Sequence, residues 1–476
     1  MFAPAYLDFL PDWLRLALGI ADILIRLAAL CWLPYNRKPV VALGWLMAIF
    51  FIPFVGFIAF LVFGSSRLPA YRRARQHAMN DLIREVSENK PFLTRTDDLS
   101  DPAKAASQLN YTLGSLPLVG GNQFTLHTDN HEAMVAMAEE VDRATKYVHF
   151  EFYITAYDEA SAVLWDALFA AHERGVRVRV LLDHIGSRKY PSYKKLVKML
   201  NDSGMQWRLM LPLKPWKLKW QRPDLRNHRK LAVIDDGVGF VGSHNLIDPF
   251  YETNLHGPGR EWKDLSVQLG GAIVAELAGV FAMDWYAETG KMFVGARAQA
   301  VNDKDIAQVE TAGLSALAAE LVNTSAAWEK ELADGVVNAM QIVPSGPGYS
   351  TEPNLRMFTS LIHNARRRVT ITSPYFVPDE SLLAAMTSAA YRGVDVQLFV
   401  GASGDNFLVR HAQRSYYAAL LDAGVRIFLY PSPTVLHSKY MTVDNEVGVI
   451  GSSNMDSRSF MLNYELMLLC FGGDLD

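Results

Sequence analysis

Two segments of this chain carry the same residues at the same spacing. The first is His228-Arg-Lys230-Leu-Ala-Val-Ile-Asp235, with Gly242-Ser243-His244-Asn245 beginning 14 residues after the histidine. The second is His437-Ser-Lys439-Tyr-Met-Thr-Val-Asp444, with Gly451-Ser452-Ser453-Asn454 beginning 14 residues after its own histidine. One H-x-K-x4-D alone is a weak signal; two copies, each with the same trailing G-S-x-N, are a duplication.

The duplication extends upstream. Lys146-Tyr-Val-His-Phe-Glu-Phe-Tyr-Ile154 predicts a strand, followed by a helix and then a turn and strand over Glu173-Arg-Gly-Val-Arg-Val-Arg-Val-Leu-Leu182. The same grammar returns as a strand over 368–376, a helix over 382–391 and a turn and strand over 392–400. Ser203-Gly-Met-Gln-Trp-Arg-Leu209 has its counterpart in Ala423-Gly-Val-Arg-Ile-Phe-Leu429. Alternating strands and helices repeated at so long a period predict two similar α/β domains rather than a solenoid.

The chemistry follows from the spacing. A histidine and a lysine two apart on a strand point to one face, and the apolar run after the lysine continues that strand into the core. An imidazole beside a fixed ammonium suits attack on a phosphodiester. The lysine neutralises the non-bridging oxygens, and the histidine bonds to phosphorus or moves a proton. Ser243, Ser452, Asn245 and Asn454 are expected to add neutral donors for the same oxygens. One histidine must attack while another protonates the leaving oxygen, so a site of two histidines explains why the motif occurs twice.

Composition bounds the rest. The 476 residues are 50% hydrophobic and 20% charged, enough for a large core in two or three domains, which excludes a wholly disordered chain. A net charge of −4 argues against a globally basic nucleic-acid binder. The two cysteines, Cys31 and Cys470, exclude a disulfide framework and a cysteine-rich zinc site.

Near the N-terminus, 40–64 holds no charged residue and reads as a membrane-crossing helix. The preceding apolar block, 14–33, holds Arg15, Asp22 and Arg26; Asp22 and Arg26 are one helical turn apart and can pair. It reads as a second span, with an interfacial amphipathic helix as the alternative. Arg67, Arg72, Arg73 and Arg75 follow the hairpin and outnumber Arg37 and Lys38 in its turn, which predicts a cytoplasmic C-terminal body.

These residues resemble the phospholipase D superfamily, through the paired motifs, and within it the bacterial cardiolipin synthases. The narrower resemblance rests on Arg37-Lys-Pro, Ala42-Leu-Gly-Trp-Leu, Ile52-Pro-Phe-Val-Gly56, Phe150-Glu-Phe-Tyr153, Gln341-Ile-Val-Pro-Ser-Gly-Pro347, Ser373-Pro-Tyr-Phe376 and Asn454-Met-Asp-Ser-Arg-Ser459. It covers nearly the whole chain. It implies an α/β fold: two phospholipase D-like α/β/α sandwich domains with pseudo-twofold symmetry sharing one active site, preceded by an N-terminal transmembrane helix hairpin. The expected division is a two-helix anchor over 1–66, a juxtamembrane linker over 67–119, a first phospholipase D-like domain over 120–296, a helical connector over 297–340 and a second domain over 341–476.

The resemblance further implies a metal-independent, cofactor-free phosphatidyltransferase in the bacterial cell membrane. One phosphatidylglycerol gives its phosphatidyl group to a histidine and releases glycerol; a second accepts it, giving cardiolipin. By that analogy His228 is the nucleophile and His437 the general acid and base, an assignment the pseudo-symmetry leaves reversible. Lys230, Lys439, Asn245 and Asn454 hold the phosphate. Asp235 and Asp444 complete the two catalytic motifs and read as structural rather than proton-carrying. Asp264 and Glu465 are candidates to fix the tautomer of a reacting histidine.

One stretch breaks the symmetry. From Gly204 to His228 is 24 residues, and from Gly424 to His437 is 13. The insertion carries Trp216, Lys217, Lys219 and Trp220, which predict a membrane-interface loop that guides anionic lipid to the site. Members of the family usually continue into a helical tail, whereas this sequence stops 11 residues after Glu465, so the resemblance carries the catalytic core but not C-terminal membrane contacts. A hydrolase forming phosphatidic acid, a synthase with another acceptor lipid and a membrane-tethered nuclease remain alternatives. The expected partners are phosphatidylglycerol and anionic membrane lipid, not nucleic acid. A homo-oligomer is left open.

Overall fold

The computed structural model describes the chain except for residues 1–10, 36, 65–67, 88–91, 95, 98, 214–221, 252–259, 292, 295–296, 299–337, 403, 405 and 473–476. The chain divides into two units, Met1–Arg67 and Leu68–Asp476. The expected interface residues Trp216, Lys217, Lys219 and Trp220 lie outside the described residues, as does most of the expected connector.

In the first unit, α1 spans Asp12–Trp32, α2 Pro39–Phe51 and α3 Pro53–Phe63. Asp22 and Arg26 pair at 2.8 Å, as their spacing predicts. The continuous span expected over 40–64 is broken. Ile52 leaves the helical region at φ −136°, and Pro53 brings no N–H to continue the ladder. The pieces hold 13 and 11 residues, about 20 and 17 Å at 1.5 Å per residue, against a hydrocarbon core of about 30 Å. α1 is longer but carries four charged side chains: Asp12, Arg15, Asp22 and Arg26. No helix among the described residues is long and apolar enough to cross a membrane.

The second unit is built on two sheets of the same topology. The first comprises β1 (Gln123–His127), β2 (Tyr147–Phe152), β3 (Arg177–Asp183), β4 (Gln206–Met210), β5 (Leu231–Ile234), β6 (Val238–Gly242) and β7 (Ser266–Gly270), in the order β1-β7-β6-β5-β2-β3-β4. The second comprises β8 (Ala339–Ser345), β9 (Arg368–Thr372), β10 (Asp395–Gly401), β11 (Arg426–Tyr430), β12 (Tyr440–Val443), β13 (Val447–Gly451) and β14 (Asn463–Phe471), in the order β8-β14-β13-β12-β9-β10-β11. Short strands at Phe92–Leu93 and Leu118–Val119 extend the β8 edge. In each sheet three strands run parallel through helical crossovers, and the motif strand returns antiparallel beside the first of them.

Side-chain alternation assigns the cores. Along β14, Met467, Leu469 and Phe471 join the core of the second half, while Leu466, Leu468 and Cys470 join a core that also takes Leu231, Val233 and Val241 of the first sheet. The helix Ile273–Thr289 lies in that shared core, its residues from Val280 to Tyr286 all buried. The two repeats are therefore fused through one helix and one apolar layer.

Residues 67–119, expected to form a juxtamembrane linker, contribute to this body. The helix Ala70–Val86 adds Met79, Leu82 and Ile83 to the shared core, and Asp101–Gly114 adds Ala103 and Ala106 to the core of the second half. Arg72 is buried against Glu288 at 2.7 Å, and Arg75 donates to the carbonyls of Tyr286 and Ala287 at 3.4 and 3.2 Å. Two of the arginines expected to mark the membrane side thus have partners at the end of the central helix, where cations complement its dipole.

Candidate active site

Each motif histidine stands at the entrance to its strand, before β5 or β12. His228, Lys230, Ala232 and Ile234 share one face, and Arg229, Leu231 and Val233 the other, as period-two alternation requires. A pair of short parallel ladders then joins the two halves. Arg226 and Asn227 pair with Asn463 and Tyr464, and Val435 and Leu436 pair with Trp262 and Lys263. The ladders end in matching bonds: His228 N–H donates to the Tyr464 carbonyl and His437 N–H to the Lys263 carbonyl, both at 2.8 Å.

This pairing crosses the carboxylates. His228 Nδ1 lies 3.0 Å from Glu465 Oε2 and 3.1 Å from the Ser452 carbonyl. His437 Nδ1 lies 2.6 Å from Asp264 Oδ1. Each histidine is therefore held by the carboxylate that follows the other motif. A carbonyl only accepts, so His228 carries its proton on Nδ1 and leaves the lone pair of Nε2 open.

The serines of the two G-S-x-N segments take a different place from the one expected. Ser243 Oγ donates to Asp264 Oδ1 at 2.6 Å and accepts from Leu265 N–H at 3.0 Å. Ser452 Oγ donates to Glu465 Oε2 at 2.5 Å and accepts from Leu466 N–H at 2.9 Å. Their single protons are committed to the carboxylates, so they steady the histidine partners rather than offering donors to a phosphate. The asparagines differ: the amide oxygens of Asn245 and Asn454 are buried without a partner, and Asn245 Nδ2 reaches only the Tyr251 hydroxyl at 3.5 Å.

Lys230 Nζ donates to the His228 carbonyl at 2.6 Å, and Lys439 Nζ donates to the His437 carbonyl. Both ammonium groups are buried. Burial lowers Lys230 to about 7 despite the opposing charge of Glu465. Burial, then the charges of Lys230 and Lys439, holds the His228 imidazole well below its ordinary range; burial also lowers His437, with Asp264 opposing it. Burial raises Glu465 to about 7. It pushes Asp264 upward too, but the charge and hydrogen bond of His437, with Lys439, outweigh it and keep this carboxylate below the usual range.

Asp235 and Asp444 stand at the far end of the motif strands. Asp235 accepts from the N–H groups of Thr145, Lys146 and Tyr147 at 2.8–3.0 Å. Asp444 accepts from those of Arg366, Arg367 and Arg368 at 2.7–2.8 Å. Each ties the start of β2 or β9 to the end of its neighbour. This is the structural place read for them from the sequence, although they belong to the catalytic motifs: a four-residue strand, about 13 Å long, separates them from the lysines.

Several residues of the site were not singled out from sequence. Tyr153 meets the His228 ring edge-on at 4.8 Å, and Trp262 meets His437 at 5.0 Å. Arg229, between the histidine and lysine, is buried on the opposite face, paired with Asp284 of the central helix and donating to the Glu465 carbonyl at 3.1 Å. Glu151 accepts from Asn227 Nδ2 at 2.8 Å and is pushed well up by burial and by the charge of Asp284. A carboxylate in the middle of the largely apolar β2, which carries one other polar side chain in His149, was the available signal for the last. Among the described residues no cluster of acidic, histidine or cysteine side chains is arranged to hold a metal.

The duplicated sheets and the crossed histidine–carboxylate pairs define a phospholipase D-type protein. A solved phosphatidylserine synthase from Haemophilus influenzae shares the fold, with a TM-score of 0.52 over 77% of this chain and 86% of that one at 15% identity. The family profile described as "Cardiolipin synthase, PLD-like domain" matches residues 137–256 and 358–475, and one described as "Phospholipase_D-nuclease N-terminal" matches 21–65. Cardiolipin synthase A of Pseudomonas putida is 33% identical over 98% of this chain and 90% of its own length. A cardiolipin synthase of a Geobacillus strain is 31% identical over 92% of this chain and 81% of its own. The chain belongs to the cardiolipin synthase family of the phospholipase D superfamily, enzymes of the phosphatidyltransferase class.

Proposed function

We propose that this protein makes cardiolipin from two phosphatidylglycerol molecules through a phosphohistidine. The observation that carries the reading is the pair of buried histidines, each fixed through Nδ1 by a carboxylate of the other half and each followed by a buried lysine.

In this reading His228 is the nucleophile. Its Nδ1 proton has a carbonyl acceptor whatever the protonation of Glu465, and burial keeps the ring neutral. Nε2 attacks the phosphorus of the donor, and the P–O bond to glycerol breaks. His437 gives that oxygen a proton, supported as an imidazolium by the ionised Asp264. The hydroxyl of the second phosphatidylglycerol then attacks the same phosphorus, its proton returns to His437, and the N–P bond breaks. Lys230 and Lys439 neutralise the non-bridging oxygens, and Asn245 and Asn454 donate to them.

The two phospholipase D-like domains, read as 120–296 and 341–476, together complete the site. The first unit is read as the membrane attachment in a bacterial cell membrane, with the catalytic body on the cytoplasmic side. Trp13, Leu16, Ile20, Leu24 and Leu27 of α1 are all exposed, as are Val40, Leu43, Met47 and Phe51 of α2. So large an apolar surface calls for lipid or a partner.

The test uses purified protein with phosphatidylglycerol vesicles and no added nucleotide or metal, beside H228A. Cardiolipin and glycerol in equal amounts, both absent in the variant, are expected. Phosphatidic acid without cardiolipin makes the protein a hydrolase, and no lipid turnover overturns the reading.

A further inference from the structure

Beside His437 lies a buried cation that the two-histidine chemistry leaves unused. Arg260 is 6% exposed, and its guanidinium sits 5.9 Å from the centre of the Trp262 ring. Trp262 in turn meets His437 edge-on and stacks flat on Tyr251 at 4.8 Å. A single indole therefore separates the guanidinium from the histidine read as acid and base.

Two nitrogens of Arg260 lack an acceptor among the described residues. Its Nε and Nη2 are buried without a hydrogen-bond partner, and no carboxylate of the described residues pairs with it. The buried Arg72, Arg226 and Arg229 of the same unit each meet a carboxylate: Glu288, Asp183 and Asp284. Guanidinium N–H groups removed from water with nothing to receive them are unfavourable, so an anion placed here would be stabilised. Two further polar groups of the first half are also open, the Asn245 amide oxygen and both ring nitrogens of His244.

The feature exists on one side only. Arg260 stands four residues before Asp264; four residues before Glu465 the chain has Met461. Opposite His244 it has Ser453, whose hydroxyl is satisfied by the Asn454 carbonyl at 3.3 Å. A symmetric site cannot tell a donor lipid from an acceptor lipid, and this departure supplies a difference.

We propose that Arg260 holds the phosphate of the acceptor phospholipid. The proposal rests on the synthase reading above and names its second subsite. The acceptor phosphatidylglycerol brings an anionic phosphodiester of its own, which stays unchanged through the reaction. Its glycerol hydroxyl oxygen forms the new O–P bond as the N–P bond to His228 breaks, the electron pair returns to Nε2, and the hydroxyl proton passes to His437. In the product three carbons and two oxygens separate the two phosphorus atoms. The resident phosphate therefore needs a cation on the His437 side of the site besides Lys230 and Lys439, and Arg260, against the Trp262 ring that meets His437, is the candidate.

The test compares two reactions of the full-length protein in phosphatidylglycerol vesicles: cardiolipin formation, and exchange of isotope-labelled free glycerol into phosphatidylglycerol, which uses a neutral acceptor. In R260Q the ratio of cardiolipin formation to exchange is expected to fall about ten-fold or more, the worth of one charge-assisted pair, and R260K is expected to recover much of it. In the unaltered protein, glycerophosphoglycerol is expected to outcompete glycerol as acceptor by about ten-fold, a measurement that does not depend on any variant folding. A ratio unchanged in R260Q, or equal use of the two soluble acceptors, overturns the acceptor subsite alone. Glycerol exchange without any cardiolipin in the unaltered protein overturns the synthase reading and the subsite with it.

Discussion

His228 is held by Glu465, a carboxylate 237 positions further along the chain, at 3.0 Å. Asp264, much nearer in sequence, serves His437 instead. The crossing follows from the short ladders: once Arg226 and Asn227 pair with Asn463 and Tyr464, the next residue on each side is His228 and Glu465. Neither half contains a complete histidine–carboxylate pair, so the proposed site needs both repeats.

The crossed pairs separate the two chemical steps. D264N leaves His437 without its supporting charge and is expected to slow cardiolipin formation roughly a hundred-fold or more. An activated leaving group needs no proton, so D264N is expected to keep the initial burst of nitrophenol from phosphatidyl-p-nitrophenol. E465Q disturbs the attacking ring itself and is expected to lose both. Stopped-flow traces of the two variants check this, and a burst lost in D264N but kept in E465Q reverses the assignment of the histidines.

The buried Glu465 makes stability depend on pH. Burial raises it from an ordinary 4.5 to about 7, against the opposing effects of Lys230, Ser452, Asn463 and Lys439. The folded protein therefore binds the extra proton between those values. Its contribution to stability is whole below 4.5 and is lost as pH rises through about 7. At about 1.4 kcal/mol per unit this amounts to about 3 kcal/mol. Lys230, lowered to about 7, acts above that point and in the other sense, its buried charge being relieved as pH rises further. Denaturant unfolding between pH 5 and 7 is expected to show the loss in the native protein and a flatter profile in E465Q; parallel profiles sink the argument.

Asp444 predicts a stability defect rather than a chemical one. It accepts three N–H groups ahead of β9 and itself sits at φ 55°, where asparagine and aspartate are tolerated better than other side chains. D444A orphans these donors and is expected to cost about 2–3 kcal/mol, with D444N losing less. The folded fraction of D444N is expected to keep its burst amplitude per molecule. A burst lost from a variant of unchanged melting temperature would give Asp444 a catalytic role.

The repeats, the α/β class and the shared face of His228 and Lys230 were legible because each follows from a local period or spacing. The crossing of Asp264 and Glu465 was not, because it depends on which distant strands pair, and no local pattern encodes that. Ser243 and Ser452 were misread for a related reason: a hydroxyl beside a phosphate site has the same sequence appearance whether it faces the phosphate or the carboxylate behind the histidine. Arg229 was hidden by its position between the two conspicuous residues, on the side of the strand that alternation turns away from the site. At Ile52 hydropathy outweighed the proline that follows, and the lost N–H of Pro53 decided the break.

The proposed phosphohistidine offers a direct way to distinguish the histidines. If His228 attacks first, H437A retains the nucleophile and loses the acid and base. With phosphatidyl-p-nitrophenol, whose leaving group departs unprotonated, H437A is expected to form the phosphohistidine and then stall, because no base remains to deprotonate the acceptor hydroxyl. H228A is expected to form none. Label from phosphorus-32 lipid that stays on the H437A protein after alkaline treatment and is released by acid identifies a phosphoramidate, and peptide mapping identifies its position. Label on His228 supports the assignment made from the Ser452 carbonyl and the buried neutral ring. Label retained by H228A and absent from H437A exchanges the two roles, leaving the crossed carboxylates in place but making Asp264 the partner of the nucleophile.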